Sequence, residues 1–258
     1  MLPPETRARV AAAAKPAIVE VAGRDSIAAA VRAAAEGGFD LFLPAIAYTG
    51  TEVGEWEVPF EKVRLLRRLV EARGAEVEVL APVVLGAPAL WHVLGGRYAT
   101  ALIKRFGFYT PCLGCHLYLH ALRVPLARAL GCANVVAGER ERHDGRVKVN
   151  QLGVALDAYA RLLADFAVEL TLPLRHVAAG PEVEKLAGTD WREGAGQMFC
   201  VLRGNYKSPS GAVSYDELAV TRFFADFAVP VAARALHAYL EGRRPDYENL
   251  AEGLWPAT

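Results

Sequence analysis

The chain is predicted to fold as an α/β protein: a parallel, five-stranded sheet with helices on both faces. Two observations predict it. Short apolar runs of strand length alternate with longer amphipathic or alanine-rich segments. Glycines close many of these segments, among them Gly23, Gly37, Gly74, Gly131 and Gly138. The first strand is read over 16–23, ending in a glycine turn. An alanine-rich helix follows from Asp25 to Glu36, stopped by Gly37-Gly38. The second strand is Asp40 to Tyr48. The helix Pro59 to Arg73 is closed by Gly74, and a third strand runs from Glu76 to Val84. A helical stretch spans Pro88 to about Arg105, and another spans Leu117 to Leu130. The fourth strand is Asn134 to Gly138, the fifth Val168 to Leu174, with a helix between them from Val154 to Phe166. No repeat and no linker divides the 258 residues, so one domain over 1–258 is expected. Its helical extension, about 215–258, carries Phe223, Phe224, Phe227, Val231 and Leu236. These would pack on the sheet or on a second subunit of a homodimer.

Charge is balanced, 29 basic against 29 acidic residues, which speaks against a general nucleic-acid coat. No segment reads as a signal peptide or reaches the ~18 apolar residues of a membrane span. A cytoplasmic protein with no membrane partner is expected. The scarcity of Gln and Met beside many Ala and Arg hints at a thermophile.

The four cysteines are not scattered. Cys112 and Cys115 form a C-x-x-C, and Cys200 lies 85 residues beyond Cys115. In a reducing compartment such a pair is more often a metal or redox site than a disulfide. Cys112-Leu113-Gly114-Cys115-His116 also fits a haem-attachment pattern, but covalent haem normally needs export. A dithiol of lowered pKa at a helix start is a second alternative. Zinc held with His116 or His120 and Cys200 is a third. Three thiolates on a four-iron cluster would leave one iron open for chemistry. Cys132 reads as a buried, inert thiol.

The first strand-turn-helix is the other informative place. Gly23 lets backbone N–H groups approach an anion, the new helix adds its dipole, and Asp25 or Ser26 can cap it. The segment is neither a dinucleotide fingerprint nor a P-loop.

Together these features resemble the PP-loop ATP pyrophosphatases, whose first turn reads S-G-G-x-D-S. Here Gly23-Arg24-Asp25-Ser26 match, while the first serine and glycine are replaced by Val21 and Ala22. The cysteine order resembles the iron–sulfur branch of that superfamily, the tRNA 2-thiocytidine and 2-thiouridine synthetases. Cys112 and Cys115 are followed by Gly131, then Val135-Val136-Ala137-Gly138, then Cys200. The resemblance covers roughly residues 16–205. It implies an adenine nucleotide alpha hydrolase-like fold, with ATP and Mg²⁺ as cofactors. Gly23, Asp25 and Ser26 would hold the pyrophosphate portion, Arg24 adding charge. Cys112, Cys115 and Cys200 would ligate a [4Fe-4S] cluster, with Asp25 and Cys200 in catalytic roles. The reaction implied is ATP-dependent transfer of sulfur to, or its removal from, a nucleobase or related heterocycle. The alternative is a nucleotide- or zinc-binding regulatory module without ATP cleavage.

Segments near the strand ends complete the candidate site. Tyr48 and Thr49 would contact adenine or ribose, and Gly138, Glu139 and Arg140 follow the fourth strand. Asn150-Gln151 would read a base or sugar edge, with Tyr206 stacking a base. Arg97, Lys104, Arg105, Arg203 and Lys207 would form a basic rim if they converge. A nucleotide-sized or heterocyclic partner is preferred over whole tRNA, because RNA affinity rests on phosphate neutralisation. The sulfur donor is left open.

Overall fold

The structure is a computed structural model that describes residues 2–187 and 196–254. A short helix α1 (Pro4–Ala12) precedes the central strand β1 (Pro16–Glu20), in which Ala17, Ile18 and Val19 are fully buried. Burying each valine or isoleucine side chain contributes ~1.5–3 kcal/mol. Helix α2 (Arg24–Ala35) returns over the sheet to β2 (Leu41–Tyr48), which pairs parallel with β1. After a two-residue strand β3 (Glu52–Val53), α3 (Glu57–Ala72) leads to β4 (Glu78–Val79) and β5 (Val83–Gly86).

The third strand expected over 76–84 is thus two pieces, both paired parallel with β2. Proline chemistry accounts for the gap. Ala45 gives its carbonyl to Val21 on the β1 side, and Phe42 gives its carbonyl to Leu80 on the other side. Residues alternate sides along a parallel strand, so Pro44 faces the third strand, where it offers no N–H. Pro82 lies in the interruption opposite and has none either. The ladder breaks where both chains lack a donor.

Helices α4 (Pro88–His92) and α5 (Ala99–Phe106) are joined through a π turn at Val93–Arg97. The long helix expected over 88–105 is therefore interrupted, at Gly95-Gly96, where helix propensity is lowest. Next come α6 (Pro111–Ala121), α7 (Arg123–Leu130) and β6 (Asn134–Val136). Helix α6 starts six residues before the expected Leu117. Thr110 caps it and Pro111 occupies the first turn. It breaks at Leu122 because Pro125 has no N–H for the carbonyl of Ala121. Helix α8 (Gly153–Ala164) and β7 (Glu169–Thr171) complete the sheet.

The sheet order is β4-β2-β1-β6-β7, with β5 extending the β4 position beside β2. Taking β4 and β5 as one strand gives five parallel positions in the order 3-2-1-4-5, the expected α/β class. Helices α2, α3 and α9 (Gly180–Ala187) cover one face, with Ile27, Val63, Leu66 and Val183 in its core. The other face is covered by α5 to α8 together with α10 (Glu217–Phe223) and α11 (Val229–Leu240). Phe223, Phe224, Phe227, Val231 and Leu236 are buried there, within the chain's own core. The last four residues of the C-terminal extension lie outside the described residues. No helix among the described residues is long and apolar enough to cross a membrane.

Candidate functional site

In a 3-2-1-4-5 sheet, β1 and β6 are the neighbours whose connections leave in opposite directions, which opens a crevice at their carboxyl ends. The crevice here is a cleft of about 330 Å³, and its wall includes Gly23, Arg24, Asp25, Ser26, Glu139 and Cys200.

The glycine turn is built tightly. The Ser26 hydroxyl donates to the Gly23 carbonyl at 2.8 Å and accepts from the Ala22 N–H at 3.0 Å. That hydroxyl therefore stabilises the turn itself. A Cβ on Gly138 would stand 2.3 Å from the Ser26 nitrogen and 2.5 Å from the Asp25 carbonyl carbon. Gly138 is thus required so that α2 can start directly against the end of β6. A Cβ on Gly23 would meet the Gln197 amide oxygen at 2.2 Å, so the Gln197 side chain lies against the turn.

Arg24 points inward and is only 3% exposed. Its Nε donates to Asp25 Oδ1 at 2.9 Å and its Nη1 to Glu184 at 3.1 Å. The second Asp25 oxygen accepts from Arg140 Nε at 2.8 Å. The resemblance implies Mg²⁺ near this turn. Both Asp25 oxygens already accept from guanidinium groups, so the residues do not fit an ion at this carboxylate.

Two buried carboxylates organise the floor. Glu20, which ends β1, pairs with Arg123 at 3.0 Å and accepts the Gly138 N–H at 3.1 Å. Glu139 faces His116 at 2.9 Å and His120 at 3.3 Å, and accepts from the Gln151 amide nitrogen. Burial alone would push its carboxyl up. His116 and His120 outweigh that and hold it well below the usual carboxylate range. Asn150 Nδ2 lies 2.9 Å from the far nitrogen of His116. Glu139 and Gln151 both line the cleft, in a network that also binds His116 and His120.

The three cysteines lie within electrostatic reach of one another. Cys112 and Cys115 sit in the first two turns of α6. Cys200 lies on β8 (Phe199–Cys200), which pairs antiparallel with β3. Burial pushes the Cys115 thiol up to about 12. The Trp91 N–H, 3.2 Å from its sulfur, opposes that rise, while the charges of Cys112 and Cys200 add to it. Burial likewise raises Cys112, with a contribution from Cys200. The Cys112 sulfur faces Asn205 Oδ1 at 3.4 Å, and the Cys200 sulfur faces the Thr51 hydroxyl at 3.4 Å. No set of three or more His, Cys, Asp or Glu among the described residues could hold one metal ion. Cys132 is buried, its thiol 3.3 Å from the Pro16 carbonyl, as expected of an inert thiol.

Tyr48 and Thr49, expected to contact a nucleotide, are not part of the cleft wall. The Thr49 hydroxyl is 2.7 Å from that of Thr51, which reaches Cys200. The Tyr48 carbonyl accepts from the Tyr118 hydroxyl at 2.6 Å, while its ring is half-exposed against Trp56 at 5.6 Å. Arg97, Lys104, Arg105, Arg203 and Lys207 are absent from the cleft wall, whose basic residues are Arg24, Arg123 and Lys148. Arg105 instead approaches Asp226 at 4.0 Å. Tyr206 is partly buried near Cys112 rather than presented as a stacking face. Sequence reasoning missed Glu20, Arg123, Thr51, Trp91 and Gln197, which gain meaning only through partners distant in the chain.

His143 supplies a pH prediction. It is 1% exposed, and burial, with the Lys148 and Arg140 charges, lowers its pKa to about 4. The unfolded chain takes up this proton near pH ~6.5, and the folded chain resists it down to about 4. Stability is therefore expected to fall as pH drops through that window. His143→Gln should flatten the fall in denaturant titrations; an unchanged slope would contradict the assignment.

The parallel 3-2-1-4-5 sheet, with a glycine turn and a helix start at its switch point, is the α/β architecture expected from the sequence. No family model matches the sequence. The chain belongs to the same family as the uncharacterized protein MJ0009 of Methanocaldococcus jannaschii. The two are 34% identical over 238 residues, which cover 92% of this chain and 85% of that protein. Among solved structures, the chain is similar to the U34-tRNA thiolase NcsA from Methanococcus maripaludis with its [4Fe-4S] cluster. That match has a TM-score of 0.41 and 10% identity, covering 98% of this chain and 88% of the other. It is also similar to NMN synthetase from Francisella tularensis, with a TM-score of 0.34 and 15% identity, covering 100% and 98% of the two chains.

Proposed function

We propose that the protein uses ATP to activate a carbonyl oxygen of a nucleobase or related heterocycle and replaces that oxygen with sulfur. The sulfur chemistry would take place at a [4Fe-4S] cluster on Cys112, Cys115 and Cys200. The observation that carries this reading is the position of Cys200. It lies in the wall of the cleft that holds the glycine turn, within electrostatic reach of both other thiols. A cubane spreads its ligands over separate irons, so it does not need thiols gathered for a single ion. The donor set fits such a group: three thiols, with the Trp91 N–H and Thr51 hydroxyl placed to hydrogen-bond sulfur. When bound, the cluster supplies a Lewis-acidic iron that no cysteine ligates.

The remaining steps fall to this chain's own residues. The α2 amino terminus and Arg24 hold the polyphosphate of ATP. The substrate carbonyl oxygen attacks the α-phosphorus, pyrophosphate leaves, and the oxygen later departs with AMP as the carbon–sulfur bond forms. His116 and Gln151, fixed by Glu139, line the cleft and orient the heterocycle. Trp56 offers a flat ring a face to stack on. The partner is a nucleotide or free heterocycle in preference to tRNA, because the expected basic rim is not part of the cleft wall.

The test is pyrophosphate release by anaerobically reconstituted protein given ATP, sulfide and candidate pyrimidine nucleosides. Release that depends on the heterocycle supports the reading; ATP binding without release contradicts it. A second reading, a nucleotide-binding module without cleavage, rests on the Asp25 carboxylate paired with both Arg24 and Arg140.

A further inference from the structure

A second cavity, of about 540 Å³, shares no residue with the cleft. It is mostly apolar. Helix α7 and the loop before it supply Leu122 and Leu126, α11 supplies Leu236, and all four residues of β5 form one side. Strand β5 is an edge: it pairs with β2 and with no other strand. The even-numbered residues of β2 turn their backbone groups toward this side, and Val84 stands opposite Ile46. In a parallel ladder Ile46 then bonds Val83 and Leu85, so the N–H and C=O of Val84 and Gly86 point away from the sheet. Both residues are exposed, Val84 by 53%. Sheet edges are usually blunted by charged side chains, a bulge or a cover. Here an apolar side chain stands on an open edge beside an apolar cavity.

The mouth of the cavity is cationic. Arg7 lines it, and no carboxylate does. Arg244 lies within electrostatic reach of the Tyr247 hydroxyl, another residue of the wall. Neither guanidinium makes a hydrogen bond or ion pair among the described residues. A second copy of the chain docked here would bring the same arginines to the contact, where like charges repel. A peptide that carries an acid meets them with the opposite sign.

We propose that β5 and the cavity beside it bind an extended, acidic segment of another protein, which adds a strand to the sheet at Val84 and Gly86. The main chain of that segment bonds these two residues. Its alternate apolar side chains enter the cavity between β5, α7 and α11, and a carboxylate reaches Arg7.

A display library of random heptapeptides, panned on the full-length protein, supplies the probe. Enriched peptides are expected to carry apolar residues at alternate positions and at least one acid. The best of them is then titrated against the protein by fluorescence polarisation. N-methylation of its amides should weaken binding by ~tenfold or more at the positions that face β5, and leave it unchanged at those between. Arg7→Glu should weaken binding by a factor of ~ten. Val84→Pro removes an outward N–H and no bond to β2, and should weaken it as much. Panning without enrichment would overturn the proposal. So would peptides that tolerate N-methylation at every position, a result that would make the cavity a site for apolar anions without strand addition. A dimer of the free protein that Val84→Pro dissociates would overturn it too and assign the edge to a second copy. The N-methyl series leaves the protein unaltered, so it decides the question even where Val84→Pro does not fold.

Discussion

Arg123→Leu is expected to destabilise the fold by ~3–5 kcal/mol, the usual cost of leaving a buried charge without its partner. Arg123 is 1% exposed and Glu20 7%, and their contact links α7 to the end of β1. Without the guanidinium, the Glu20 carboxylate keeps only the Gly138 N–H to satisfy it. The loss should appear as a lower denaturant midpoint at unchanged slope. The double variant Glu20→Gln/Arg123→Leu should recover part of the loss, because no buried charge then remains unpaired. A single variant within ~1 kcal/mol of the parent would show that the pair is solvated and not part of the cleft's frame.

Cys200→Ala is expected to abolish the broad visible absorption of anaerobically reconstituted protein, whereas Cys132→Ala should keep it. Removing one of the three proposed thiol ligands would leave a cluster with two, while the Cys132 thiol bonds the Pro16 carbonyl and is not one of the proposed ligands. The fold should tolerate Cys200→Ala, since the residue is partly exposed on a two-residue strand. Equal loss of colour in both variants would mean that the bound iron is adventitious.

What could be read from the sequence depended on how far apart the interacting residues lie. The glycine turn and its helix are encoded within four residues, and the expected strand-to-helix transition at Gly23 is present. The C-x-x-C is local too, and Thr110-Pro111 is a local signal for a helix start ahead of Leu117. Pro125 likewise marked the break between α6 and α7. Other features were not legible from any local pattern. The inward turn of Arg24 depends on Glu184, which is 160 residues away, and the clamp on Asp25 needs Arg140, 115 residues away. Nothing nearby in sequence shows that the pairing of β3 with β8 brings Thr51, just before β3, to Cys200. The basic rim failed for the same reason: charges spaced along a chain say nothing of the face each will occupy.

The central claim is that three thiols and a nucleotide cleft form one site for iron–sulfur chemistry. Its most direct test is iron and acid-labile sulfide analysis of protein purified without oxygen. About four irons and four sulfides per chain are predicted, lost together in Cys112→Ala. Stoichiometric zinc with no iron would contradict the account.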